Sequence, residues 1–244
     1  MSKAVKITLI VGAIFICIGL ILVFSTGFST GWKFLNVEWE MKVYECEQDA
    51  EIDDIDLDFS AGMLKVVFYE GDVIQVRYPK CEQVNTQFSV KNKTLKVTPV
   101  VNWHIQFMWF NKVPTTTVYI PNGMQLGLKL NVSAGMVTID EGTFKKVDVK
   151  MSAGVLEMGD VDCGSFTVDM SAGSINVKKL ACDDIDLDLS AGSANIGVVG
   201  AKYEYSIKTS VSAGSCNVKN QSGSTVKKLS VDMSAGSVKI TFGK

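Results

Sequence analysis

The tripeptide Ser-Ala-Gly recurs seven times, beginning at Ser60, Ser133, Ser152, Ser171, Ser190, Ser212 and Ser234. The last six copies stand 19, 19, 19, 22 and 22 residues apart. Self-similarity at a near-constant period of this length is the signature of a solenoid. Each copy also carries the same apolar pattern. One, three and five residues before the serine stand Met151, Val149 and Val147 in one repeat, Met170, Val168 and Phe166 in the next, and Leu189, Leu187 and Ile185 in the next. Strict alternation of this kind is a strand with one buried face. The alternation resumes in a new phase four and six residues after the serine, as at Leu156 and Met158 or Ile175 and Val177. Val161, Leu180 and Val199 suggest a short third side. So many short strands in about 19 residues leave no room for a helix.

The tripeptide reads as a corner. Glycine takes a positive φ at no steric cost, the serine hydroxyl can bond nearby backbone, and alanine is small enough to tuck beside the turn. Coils built this way stack about 4.8 Å apart and align like residues in ladders. The fold class expected is all-β: a parallel β-helix, or β-solenoid, of about 19–22 residues per coil. Six coils run from Ser133 onward, and a seventh, around Ser60, extends them.

Ahead of the repeats, Ile7 to Phe24 runs 18 residues without a charge. As a helix that is about 27 Å, close to the hydrocarbon thickness of a bilayer. Lys3 and Lys6 precede it and no charge follows until Lys33, which orients the N-terminus to the cytoplasm and the repeats outside. The expected organisation is a cytoplasmic tail (1–6), a transmembrane helix (7–27), a juxtamembrane segment (28–50) and an extracytoplasmic β-solenoid (51–244). A cleaved signal peptide, with Ser25 and Gly27 as its small residues, is the alternative to a single-pass anchor. Cys17 lies within the apolar run, behind residues too bulky for a lipoprotein cleavage box. Trp32, Phe34 and Trp39 either sit at headgroup level or cap the first coil.

The Ser60 and Ser133 corners stand 73 residues apart, and the chain between them is rich in β-branched alternation. It is expected to form about three degenerate coils, with turns at Glu70-Gly71-Asp72, Lys91-Asn92-Lys93 and Pro121-Asn122-Gly123. Inside it Val100 to Asn111 (VVNWHIQFMWFN) is not predicted by the period. Its Trp103, Phe107, Trp109 and Phe110 either cap one end of the stack or form a contact loop for a partner or a membrane surface.

Chemistry is sparse. The 26 acidic and 24 basic side chains nearly balance, and no basic run is interleaved with aromatics, which argues against nucleic-acid binding. The single histidine, His104, leaves no histidine-based triad or metal cluster. Asp169, Asp186 and Asp188 fall on outward positions of neighbouring coils, with Asp148 somewhat apart. They are a weak candidate for a cation site or for the paired carboxylates of a carbohydrate-active enzyme, set against solvated surface charge. Asn176, Asn195 and Asn217 share one column and can bond amide to amide. Of six cysteines, Cys163 and Cys182 are neighbours in consecutive coils, either as a disulfide or as buried thiols. Cys216 occupies a core position, and Cys46 and Cys81 have no pairing that spacing decides. The segment Ser237 to Lys244 follows the last corner directly, so the C-terminal coil is expected to offer an unpaired edge for self-association or for another protein.

A Lys-flanked membrane helix, a strand-corner-strand carrying Ser-Ala-Gly, the segment Val-Tyr-Ile-Pro at Val118–Pro121 and tandem coils of the type Val-Asp-Met-Ser-Ala-Gly-Ser together resemble the bacterial "putative adhesin" family, a membrane-anchored or secreted domain of unknown function. The resemblance covers essentially the whole chain. It implies a right-handed β-helix at the cell surface, with no catalytic residue to carry over and no cofactor. The function expected is a non-enzymatic, membrane-anchored surface solenoid that binds or scaffolds a cell-wall or surface glycan or another envelope protein. The alternatives are an envelope-stress sensor acting through a membrane partner and a carbohydrate-active β-helix enzyme.

Overall fold

The computed structural model describes residues 38–47, 50–82, 84–101, 114–223 and 226–243. The expected transmembrane helix, the contact loop with Trp103, Phe107, Trp109 and Phe110, and His104 lie outside them. Among the described residues no helix is long and apolar enough to cross a membrane.

Among the described residues nine strands make one sheet system: β1 Glu40–Glu45, β2 Asp54–Tyr69, β3 Gln75–Lys80, β4 Val84–Lys91, β5 Thr94–Val101, β6 Thr116–Pro121, β7 Gly127–Val199, β8 Tyr205–Cys216 and β9 Lys227–Gly243. β7 is a single run of 73 residues through the corners at Ser133, Ser152, Ser171 and Ser190. It is continuous because the corner bends the strand without ending its pairing. β2 lies parallel on the start of β7, with Leu57 opposite Leu130 and Gly62 opposite Gly135.

The corner glycines set how the coils meet. Gly135 has φ +147° and Gly154 the same, and a Cβ on either would stand 2.0 Å from the carbonyl oxygen of the corner glycine one coil below. The same close approach places Gly173 on Gly154 and Gly192 on Gly173. Ser and Ala of each corner point outward and are exposed in all seven copies, so alanine does not tuck beside the turn. It lines a ridge, because both side chains project from the convex side of the bend. The concave side carries the core. Leu57, Leu130, Val149, Val168, Leu187 and Val231 form one fully buried column up the stack, and each contributes roughly 1.5–3 kcal/mol by leaving water.

The stack does not follow chain order. A Cβ on Gly236 would meet Gly192, and one on Gly214 would meet Gly236. β9 pairs parallel with β7, Leu187 opposite Val231, and β8 pairs parallel with β9, Val231 opposite Thr209. The Ser234 coil is therefore inserted between the Ser190 and Ser212 coils. The expectation that the C-terminal coil forms the open end is corrected: β9 is an interior coil, and β8 is the end. Extra residues in the last two repeats provide the connections that an insertion needs. Asn217 closes the joint where β8 stops, donating from Nδ2 to the Ile240 carbonyl and accepting the Ile240 N–H at Oδ1, both at 2.8 Å.

The long gap also departs from expectation. Among the described residues it is one split coil, β5 and β6, and two antiparallel strands, β3 and β4. β5 lies parallel on the first arm of β2, Leu57 opposite Val97, and β6 parallel on its second arm, Val66 opposite Val118. Residues 102–113 lie in the sequence between these two strands. β4 pairs antiparallel with β5 through a two-residue turn at Asn92 and Lys93, whose φ values are +50° and +58°. Such left-handed pairs match the twist of a hairpin and not the turn of a coil. β3 pairs antiparallel with β6, and β1 with β3. The two branches meet at Phe88, whose ring stacks on Tyr44 with centroids 4.0 Å apart and tilts against Tyr78.

Gly154→Ala is expected to cost about 3 kcal/mol or more, since it combines a left-handed φ with a backbone clash. Gly123→Ala, at φ +82° with nothing within 4 Å of the added carbon, should cost only about 1 kcal/mol. Denaturant unfolding of both variants beside the parent checks the difference.

Candidate functional site

Stacking turns single outward residues into columns. One reads Asp58, Asn131, Lys150, Asp169, Asp188, Asp232 and Ser210, fixed by the pairing of Asp58 with Asn131, the 19-residue step through β7, and the pairings of Asp188 and Ser210 with Asp232. Three successive carboxylates therefore stand one coil apart. Asp186 occupies the next column, between Thr167 and Ser230, and Asp148 lies two coils from it. The structure brings together Asp169, Asp186 and Asp188, as expected from sequence. It adds Asp232, which the inserted Ser234 coil sets opposite Asp188.

Burial of the Asp188 carboxyl, with the charges of Asp169, Asp232 and Asp186 around it, holds its pKa above the ordinary range. Elsewhere carboxylates meet lysines: Lys65 and Asp140 at 2.8 Å, Lys129 and Asp56 at 3.4 Å, and Lys146 and Asp54 at 3.1 Å. Lys146 reaches Asp54 across the intervening coil because Gly127 has no side chain there. Among the described residues, no lysine comes within ion-pairing distance of the Asp169–Asp188–Asp232 run, and no group of three acidic, cysteine or histidine residues is arranged to hold a metal. The nearest hollow, of about 210 Å3, touches Asp169, Asp58 and Lys150 but neither Asp186 nor Asp188. All three carboxylates of the run are exposed on the side of the stack.

A larger furrow, of about 560 Å3, crosses several coils on another side. Phe68 and Met124 form its apolar end, and Glu141, Asp160, Asp162 and Lys179 line its length. Asp160 is held between Lys178 at 3.1 Å and Lys179 at 3.3 Å. Its hydrogen bond to Lys178 keeps the carboxyl below its usual range. Sequence periodicity missed this furrow because the loop Asn122–Gln125, which walls one end, belongs to no repeat.

Cys163 and Cys182 are buried neighbours and both are free thiols. The Cys182 thiol beside it and burial push the Cys163 thiol far up. Cys182 donates to the Asp184 carbonyl at 3.2 Å. Cys46, Cys81 and Cys216 are also free thiols. Next to this pair Tyr205 is fully buried and donates its hydroxyl to the Cys182 carbonyl at 2.8 Å. Burial raises the phenol to about 12. In the asparagine column, Asn195 donates to Asn176 at 3.3 Å. Asn217 is not their neighbour: Lys239 of β9 stands opposite Asn195, again because of the inserted coil.

The acidic run has a signature in pH. A carboxyl with a raised pKa binds its proton more tightly folded than unfolded, so stability is full at low pH. It falls as pH rises from the ordinary aspartate value of about 3.9 through the raised one. Asp188→Asn should therefore raise the melting temperature at pH 7, and the gain should vanish by about pH 3.5. Thermal melts of parent and variant at the two pH values check the sign.

The geometry can be set beside known proteins. The family model described as Toastrack DUF4097 matches residues 52–244. No curated protein matches the chain. Among solved structures, the chain is similar to a "putative cell adhesion protein" from Clostridium sporogenes at 15% identity and a TM-score of 0.51, covering 84% of this chain and 100% of that one. A "putative adhesin" from Bacteroides fragilis is 12% identical with a TM-score of 0.42, covering 83% of this chain and 97% of that one. At such identities the first likeness speaks for the fold. Because the family model runs from just before β2 to the end of the stack, the chain belongs to the Toastrack DUF4097 family, a domain of unknown function.

Proposed function

We propose that this chain is a non-enzymatic, membrane-anchored surface protein whose solenoid binds or scaffolds envelope components outside the cytoplasmic membrane. The observation that carries the reading is the periodic exterior. Exposed Ser-Ala pairs recur at all seven corners, and carboxylates repeat on a neighbouring face at the same coil spacing. A ladder of identical groups about 4.8 Å apart suits an extended, repeating ligand such as a wall or surface glycan more than a single small molecule. The uncharged run Ile7–Phe24 and the lysines before it support an uncleaved single-pass anchor with its N-terminus in the cytoplasm. The similar Clostridium sporogenes structure is described as that of a cell adhesion protein, which agrees with a place at the surface. The stretch with Trp103, Phe107, Trp109 and Phe110 falls in the sequence between β5 and β6. In this reading it is the contact loop.

Co-sedimentation of residues 32–244 with purified cell wall, lipid vesicles and buffer alone tests the proposal. Retention on wall or vesicles is expected, falling several-fold when Trp103 and Trp109 are both changed to alanine. A protein that stays in the supernatant with both would sink the reading.

A further inference from the structure

The two ends of the stack are finished differently. At one end, the outer edge of β2 is covered by β5 and β6, and these are backed by antiparallel strands. At the other end, β8 pairs with β9 on its inner edge only. The chain covers the first part of the outer edge itself. Ile207 and Gln221 exchange backbone hydrogen bonds at 3.0 Å, and Asn220 Oδ1 accepts from the Thr209 N–H and hydroxyl. From Ser210 to Cys216 no described residue pairs with that edge.

This open stretch lacks the devices that keep edges from pairing. Ser210-Val211-Ser212-Ala213-Gly214-Ser215-Cys216 contains no charge and no proline, although natural sheets commonly place lysine, proline or a bulge at a free edge. Val211 is 37% exposed, and Tyr203, in the turn leading into β8, is 78% exposed. The stretch is also bent. Gly214, at φ +138°, turns the strand at its middle, with Ser210 and Val211 on one side of the corner and Ser215 and Cys216 on the other.

We propose that this edge is a homodimer interface, in which Ser210–Cys216 pairs antiparallel with the same segment of a second copy. The bend selects the occupant. A straight strand could follow only one arm, whereas a second copy brings a corner at the matching place. A two-fold axis along the bisector of the corner exchanges the two arms and reverses the stack, so corner lies on corner and every arm meets an arm. Two uncharged edges can meet without like-charge repulsion, and backbone N–H and C=O groups are complementary to themselves in antiparallel pairing. The opposite end is covered, so association stops at two chains instead of growing into a fibre. The interface takes up the Ser212 corner and leaves the other six corners of the glycan- or wall-binding surface proposed above untouched.

Light scattering of the full chain in detergent micelles, read over concentrations reaching the high micromolar range, should find two chains per particle. Ala213→Lys should give a single chain. Ala235→Lys, which puts the same charge at the same corner of the interior β9 coil, should remain dimeric. If Ala213→Lys loses the parent's circular dichroism spectrum, Ser215→Lys replaces it. A parent that is monomeric throughout, particles that grow beyond two chains, or an edge variant as dimeric as the parent would overturn the interface. A monomer that still sediments with cell wall removes this interface alone, and a dimer that does not sediment removes only the surface-binding reading.

Discussion

The absence of a Cβ at the corner glycines is the constraint on which the stack depends. Each coil brings the carbonyl oxygen of its corner glycine to about the place where a side chain on the next would begin, 2.0 Å from it in the case of Gly154 over Gly135. A larger residue would push neighbouring coils apart at the bend and unzip the ladders on both arms. Serine and alanine at the same corner are under no such pressure, since they project outward. The core columns then follow, because coils aligned at the corner place Leu57, Leu130, Val149 and Val168 over one another. Register is thus set sterically at one point per coil, and hydrophobic burial supplies the stabilisation along the arms.

The same alignment governs charge. A column brings together whatever residues share a phase, favourable or not. Where the phase holds alternating signs, as with Asp56 and Lys129, an ion pair forms. Where it holds aspartates in succession, the carboxylates must share a surface, and their charges add to the desolvation that raises the Asp188 carboxyl. Exposed ion pairs of this kind each contribute about 0–1 kcal/mol, so the exterior can vary without threatening the fold. In a solenoid the surface is free to be specialised while the interior remains a repeat.

The seven corners, the buried columns and the acidic face are legible in the sequence because they depend only on phase within a repeat. Coil order is not. Any coil of this type presents the same glycine and the same apolar arms to its neighbours, so the period cannot say whether the Ser212 or the Ser234 coil rests on the Ser190 coil. The signals lie outside the repeat: the longer spacing of the last two corners, and the amide-rich segment Asn217-Val218-Lys219-Asn220-Gln221, whose side chains stand in for strand partners. They decide that Lys239, and not Asn217, stands opposite Asn195. The split coil was hidden for a different reason. β-branched alternation reads the same in parallel and antiparallel strands, and only the tight turn at Asn92 and Lys93 tells them apart.

The inserted coil also bears on the order in which the fold can be completed. β9 lies between two elements that both precede it in the chain, so coils cannot simply be added in the order of synthesis. After the Ser190 coil is in place, the edge it presents belongs to the 17 residues of β9, while β8, made first, carries a corner equally able to occupy that edge. Either β8 must wait and dock together with β9 as a two-coil unit, or it must settle on the Ser190 coil and later be displaced. Two nearly identical coils could thus fill one edge, and in the folded chain it belongs to β9, with β8 paired along the other side of β9.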